Sequence, residues 1–256
     1  MTMSQRKVIV IGCSGGIGYK TTETLLGEGY FVIGTSHKKS AKATGLQKNP
    51  SFKEVSLDIS DLASIKKFAQ SLKGEEVYAL VNCAGIVRFE GKNNEEDFQI
   101  WDETIAVNLS SNFFLAKLLS NNLAHNGRFV MISSTDSYYG GSVTASYAAS
   151  KAGINSLTKS LSLLFRDKKI RVNSVAPGWV STPMIEGNSQ SFYDKLAETN
   201  PLGRIAHPED IANTIKFLLS SDSDYINGQV LTVDGGYTNQ DPTLLIEEEE
   251  VKQVVS

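Results

Sequence analysis

The chain has 256 residues, 41% hydrophobic and 21% charged, with a net charge of −3. That length is ample for a full core, and the interspersed charges leave no basic stripe for a nucleic acid. Two cysteines and three scattered histidines argue against a disulfide framework and a Cys/His metal cluster.

Met1 to Lys7 is polar, without the apolar stretch of a secretion signal, and no segment is long enough to span a membrane; a cytoplasmic protein is expected. Val8-Ile9-Val10-Ile11 is a continuous apolar run, the pattern of a strand buried on both faces. Gly12-Cys13-Ser14-Gly15-Gly16-Ile17-Gly18 follows, then a helix to about Gly27. Glycines let the backbone approach a pyrophosphate, and a helix start presents free N–H groups to its charge. A tight turn needing glycine for a positive φ is the plainer reading of the same residues. A second strand, Tyr30 to Ile33, leads into Gly34-Thr35-Ser36-His37-Lys38-Lys39. No acid stands there for a free ribose 2′-hydroxyl, which favours NADP(H), with NAD(H) the alternative.

Phe52 to Leu57 reads as a third strand, Leu62 to Leu72 as a helix with Asp61 as its natural cap, and Val77 to Val81 as a fourth strand. A long helix spans roughly Phe98 to Leu123, broken near Asn108, and Arg128 to Ile132 is a fifth strand. The small-residue stretch Ser146 to Gly153 opens a helix running to about Phe165. Ile170 to Val175, Pro208 to Leu219 and Gln229 to Val233 follow as strand, helix and strand. Repeated βα units predict one doubly wound α/β domain over 1–256, its parallel sheet of about seven strands flanked by helices. Two stretches break the rhythm. Ser181 to Arg204 is polar and proline-flanked, a candidate lid over a substrate, with a short helix expected around Ser191 to Glu198. The tail, 238–256, carries Leu244-Leu245-Ile246 and four glutamates; it reads as a solvated end, or as a segment docked on a neighbouring subunit.

Tyr147 and Lys151 stand four residues apart on a predicted helix and so share a face. A phenol in water has a pKa of about 10. An ammonium fixed beside it favours the phenolate and suits it to general acid–base work.

These features fall in order: the Gly12–Gly18 loop, Asp58, Asn82-Cys83-Ala84-Gly85, Asn108, Ser134, Tyr147 with Lys151, Pro177-Gly178, and Asp234-Gly235-Gly236. From about Lys7 to Tyr237 the chain resembles the short-chain dehydrogenase/reductases. Pro201-Leu202-Gly203-Arg204 with Pro208-Glu209-Asp210 most resembles their 3-oxoacyl-[acyl-carrier-protein] reductase branch. The resemblance implies a Rossmann-type fold and an oxidoreductase that moves a hydride between NADP(H) and a carbonyl or secondary alcohol. The catalytic roles then fall to Asn108, Ser134, Tyr147 and Lys151, with Ser133 the alternative to Ser134. Cofactor contacts fall to Gly12, Ser14, Gly16, Ile17, Gly18, Ser36, His37, Lys38, Asp58, Ile59, Asn82, Ala84, Gly85, Pro177, Gly178, Val180 and Thr182, joined by Tyr147 and Lys151. Asp58 would hold the adenine, and Asn108 would interrupt its helix and bind a water. Two positions depart from the family pattern. Ile11 stands where threonine usually precedes the first glycine, and Cys83 replaces the second asparagine of Asn-Asn-Ala-Gly; an inert buried thiol is expected there.

The resemblance also implies a homotetramer or homodimer packed through the Asn108 and Tyr147 helices. Phe113, Phe114, Leu118, Leu157, Leu161 and Leu164 supply a compatible exposed face. The expected substrate is a small molecule, a 3-oxoacyl compound or similar ketone, and no nucleic acid or membrane partner is expected. A sugar, polyol or secondary-alcohol dehydrogenase and a non-catalytic dinucleotide-sensing protein are the alternative readings.

Overall fold

The computed structural model describes residues 5–37, 45–91 and 95–239. Lys38 and the acidic tail beyond Asn239 lie outside the described residues.

Seven strands, β1 (Lys7–Ile11), β2 (Phe31–Ser36), β3 (Phe52–Ser56), β4 (Val77–Asn82), β5 (Leu123–Ile132), β6 (Arg171–Pro177) and β7 (Val230–Val233), form one sheet. All neighbours pair in parallel, in the order β3-β2-β1-β4-β5-β6-β7. Successive strand residues point to opposite faces, and each face of this sheet is covered. Ile9, Ile11, Leu80, Phe129 and Met131 pack in one cluster with Ile65, Leu115, Ile154 and Leu161. Their neighbours Val8, Val10, Ala79, Val81 and Val130 pack in another with Leu25, Ile211, Ile215 and Leu218. The first cluster lies under α2 (Leu62–Ser71), α4 (Ser111–Leu118) and α5 (Ala145–Leu164), the second under α1 (Gly16–Gly27) and α7 (Pro208–Leu219). Burial on both faces is why the strands read as unbroken apolar runs.

Asp61 caps α2 as its sequence position predicts, its carboxylate accepting from the N–H groups of Ala63 (2.9 Å) and Ser64 (3.1 Å). The predicted helix from Phe98 to Leu123 is three elements: α3 (Glu95–Ile105), a π turn (Ala106–Ser110) and α4, which stops at Leu118. Its last predicted residue, Leu123, instead opens β5 opposite Val77. Asn122 forces the change, since its side-chain amide donates to the carbonyls of Leu72 (2.6 Å) and Glu75 (3.0 Å). The face predicted for oligomerisation is also smaller than expected. Leu161 is 1% exposed and belongs to the core, and Phe114, Leu118 and Leu157 pack against it.

Candidate active site

Strands of a parallel sheet end together, and between β1 and β4 the winding reverses, which opens a crevice at their carboxyl edge. The glycine loop, the 82–91 loop, the turn after β5 and the segment after β6 all start at that edge.

The turn after β5 tells apart two adjacent serines. Ser133 Oγ donates to Asn155 Oδ1 (2.7 Å) and to the Lys151 carbonyl (3.1 Å), which anchors α5. Ser134 Oγ accepts the Asp136 N–H (3.1 Å), and its hydroxyl acts on the Tyr147 phenol in the direction of a lower pKa. Ser134 is therefore the serine that meets the phenol.

On α5 the Lys151 ammonium lies 5.5 Å from the centre of the Tyr147 ring. It donates to the Ile132 carbonyl (2.8 Å). Burial pushes the Lys151 pKa down to about 8, against the pull of Cys83 and Asp136. The expected acidification of Tyr147 by Lys151 is not what the geometry produces. Burial pushes the phenol up to about 12; the Ser134 hydrogen bond lowers it and the Asp136 charge raises it further. Desolvation wins because a buried ionised group loses its hydration.

Asn108 sits at the centre of the π turn, fully buried. Its side-chain amide accepts from the Ile86 N–H (2.8 Å) and donates to the Ile86 carbonyl (2.9 Å) and to Ser150 Oγ (3.2 Å). A side chain thus replaces the strand partner that the loop backbone lacks. Gly85 is the spacer between them: a Cβ there would lie 3.4 Å from both Asn108 Oδ1 and Lys151 Nζ. Three separate stretches of the sequence are brought together here: Gly85, Asn108, and Tyr147 with Lys151.

The glycine loop tests whether a dinucleotide fits. Gly12 has a φ of +79°, and a Cβ on it would press on Ala84 at 2.9 Å. Gly12 and Cys13 both donate to the Thr35 carbonyl (3.0 and 2.9 Å), tying the loop to β2. A Cβ on Gly16 would lie 2.5 Å from Thr182 Cγ2, so the loop and the segment after β6 already meet. No side chain caps the start of α1 and no acid occupies its first turn, which leaves its positive end for an anion. These features suit a pyrophosphate.

Other predicted contact residues also have partners within the fold. Asn82 accepts from the Ala84 N–H (3.1 Å) and donates to Asn112 (2.8 Å), so it shapes the loop. Ile59 packs against the first core cluster, and Val180 turns its side chain into the second. Gly178 is pressed against Asp234, where a Cβ would lie 2.9 Å from Asp234 Cβ. Asp58 accepts from Ser60 Oγ (2.6 Å) and lies 3.5 Å from His37 Nδ1. Ser36 Oγ donates to Glu54 Oε1 (2.8 Å). The end of β2 is acid-free in sequence, yet the fold brings two carboxyls to it.

This chain is matched over residues 12–238 by the family model described as Enoyl-(Acyl carrier protein) reductase. It is 34% identical over 249 residues to a 2-dehydro-3-deoxy-D-gluconate 5-dehydrogenase of Bacillus subtilis (strain 168), covering 93% of this chain and 97% of that one. It is 35% identical over 241 residues to the 3-oxoacyl-[acyl-carrier-protein] reductase FabG of Escherichia coli (strain K12), covering 92% and 98%. A crystal structure of a glucose/ribitol dehydrogenase-type short-chain dehydrogenase/reductase from Brucella melitensis superposes with a TM-score of 0.84 at 28% identity, covering 91% of this chain and 96% of that one. The chain belongs to the short-chain dehydrogenase/reductase family. It is an NAD(P)-dependent oxidoreductase of carbonyl and CH–OH groups.

In this dehydrogenase/reductase an apolar wall stands beside the cleft. The segment after β6 forms a turn, Pro183–Ile185, and a helix, α6 (Gln190–Glu198). Trp179 meets Phe192 edge-on at 5.4 Å, and Tyr193 donates to the Ile185 carbonyl (2.5 Å). Trp179 and Met184 remain exposed. Three residues near the site escaped the sequence reading: Glu54 beside Ser36, Glu90 at the start of α5, and Asp136, whose charge acts on Tyr147 and Lys151. Only Asp136 carried a local signal, its place two residues beyond Ser134. Among the described residues no His/Cys/Asp/Glu group could hold a metal ion, and no helix is long and apolar enough to cross a membrane.

Proposed function

We propose that this protein reversibly reduces a small, partly apolar ketone to a secondary alcohol, with NADP(H) preferred and NAD(H) accepted. The observation that carries this reading is Tyr147 with Lys151 one turn along the same helix, the ammonium 5.5 Å from the ring centre, and Ser134 acting on the phenol. The glycine loop and Thr182 would hold the dinucleotide, which would supply the hydride chemistry when bound. Ser134 Oγ donates to the substrate oxygen and stabilises its growing charge. Tyr147 Oη delivers the proton, and its raised pKa keeps that proton in place at neutral pH. Lys151 places a positive charge behind the phenol. The Asn108 carbonyl, held by Asn112 Nδ2 (2.8 Å) at the π turn, keeps a second lone pair for the water that the family resemblance implies.

His37 and Lys38 support the NADP(H) preference, while Glu54 and Asp58 at the same strand end moderate it. Titrating the protein with NADPH and NADH separately tests this, and tighter NADH binding would reverse the assignment. Trp179, Met184 and Phe192 support an apolar substrate part, as a 3-oxoacyl compound has. The sugar-acid and glucose/ribitol dehydrogenases among the similar proteins support a polyol as the second reading. Tyr147→Phe is expected to lower turnover by about a hundredfold to ten-thousandfold, with coenzyme affinity near normal. A Phe variant with normal turnover excludes this acid and leaves the non-catalytic dinucleotide sensor as the better reading.

A further inference from the structure

The turn after β5 holds a carboxyl group that neither the fold nor the proton transfer uses. Asp136 lies two residues past Ser134, in the turn Thr135–Ser137. Its N–H donates to Ser134 Oγ (3.1 Å), and its carbonyl accepts from the Tyr139 N–H (3.3 Å). The backbone of Asp136 is therefore fixed to the hydroxyl that meets the substrate oxygen. Its carboxylate has no hydrogen bond or ion pair among the described residues, although the side chain is partly buried. Other partly buried carboxylates here are satisfied: Asp234 accepts from Gly236 and Thr238, and Asp210 pairs with Arg204. Burial raises the Asp136 pKa, and the Lys151 charge lowers it. The Asp136 charge acts in turn on Tyr147, Lys151 and Tyr139.

An unpartnered carboxylate in such a place is costly until a donor reaches it. A carboxylate or phosphate next to the carbonyl would be repelled by it. An ammonium there would meet Lys151. A neutral hydroxyl escapes both penalties. A 3-oxoacyl thioester offers no donor beside its ketone and would leave the carboxylate desolvated and unpaired.

We propose that Asp136 determines specificity by accepting a hydrogen bond from a substrate hydroxyl adjacent to the reacting carbonyl, so that hydroxyketones and their diols are the substrate class. This rests on the carbonyl-reductase reading above. The test compares 1-hydroxy-2-butanone with 3-pentanone, in which a methyl replaces the hydroxyl, and with a 3-oxobutyryl thioester. Reduction is followed with NADPH and with NADH for the parent protein, Asp136→Ala and Asp136→Asn. The parent is expected to favour the hydroxyketone in kcat/KM by on the order of 10- to 100-fold, as for a hydrogen bond to a charged group. Asp136→Ala is expected to erase most of that ratio, chiefly through KM for the hydroxyketone. Asp136→Asn, which keeps an acceptor oxygen and the same shape, is expected to fall between. A ratio near one in the parent, a ratio equal in parent and Ala variant, or a preference for the thioester overturns the proposal and leaves the reductase reading standing. Turnover that Tyr147→Phe does not diminish overturns the reductase reading itself.

Discussion

Burial sets the chemistry of the site residue by residue. Lys151 is 3% exposed, and its pKa drops from 10.5 to about 8. Between those values the unfolded chain holds a proton that the folded protein has released, so stability rises with pH across that window. Below about pH 8 both states carry the proton, and the cost of burying it is felt in full. The stability gap between Lys151→Met and the parent is therefore expected to shift in the parent's favour from pH 8 to pH 10, read by urea unfolding. A gap that ignores pH would show that the ammonium is not desolvated. Tyr147 acts in the opposite sense and only above pH 10, where the unfolded phenol ionises first and stability falls. The helical spacing of Tyr147 and Lys151 was legible in the sequence, whereas the balance of burial against charge was not. That balance depends on Ile132, Ser134 and Asp136, which reach the pair only in the folded chain.

Individual elements are held by side chains from far along the sequence. α5 has no cap of its own, and Thr144 makes no capping bond. The Glu90 carboxylate takes the role, accepting from the N–H groups of Ala145 (3.0 Å) and Ser146 (2.9 Å), immediately before Tyr147. Losing a helix cap costs about 0.5–2 kcal/mol. Glu90→Ala is expected to lower the melting temperature by a few degrees and to reduce kcat more than it alters KM; Glu90→Gln, which keeps one acceptor, is expected to lose less of both. Unchanged melting and turnover in the Ala variant would remove Glu90 from this role. The π turn follows the same logic. A break near Asn108 could be read from the sequence, but its form could not, because the Ile86 backbone that Asn108 satisfies comes from the loop after β4.

Across the whole molecule, helices on both faces bury the sheet, while α4 and α5 leave part of their outer surface open. Phe113 and Leu164 are exposed there, and Leu109, Phe113, Phe114, Gly153 and Leu157 line a shallow groove. This face is compatible with the self-association that the family resemblance implies, with a second copy of the chain as its occupant. The parent protein is expected to run as a dimer or tetramer by light scattering, and Phe113→Glu is expected to shift it toward the monomer. A parent that is already monomeric at micromolar concentration would sink that reading. Sequence alone determined the βα order, the glycine loop, the Asp61 cap and the Tyr147–Lys151 spacing, since each depends on neighbours within a turn or two of chain. The tertiary structure decided the remainder: the end of α4, the acids beside Ser36, and the free carboxylate of Asp136. Those outcomes depend on which distant groups share a space, because desolvation and charge act through space rather than along the chain.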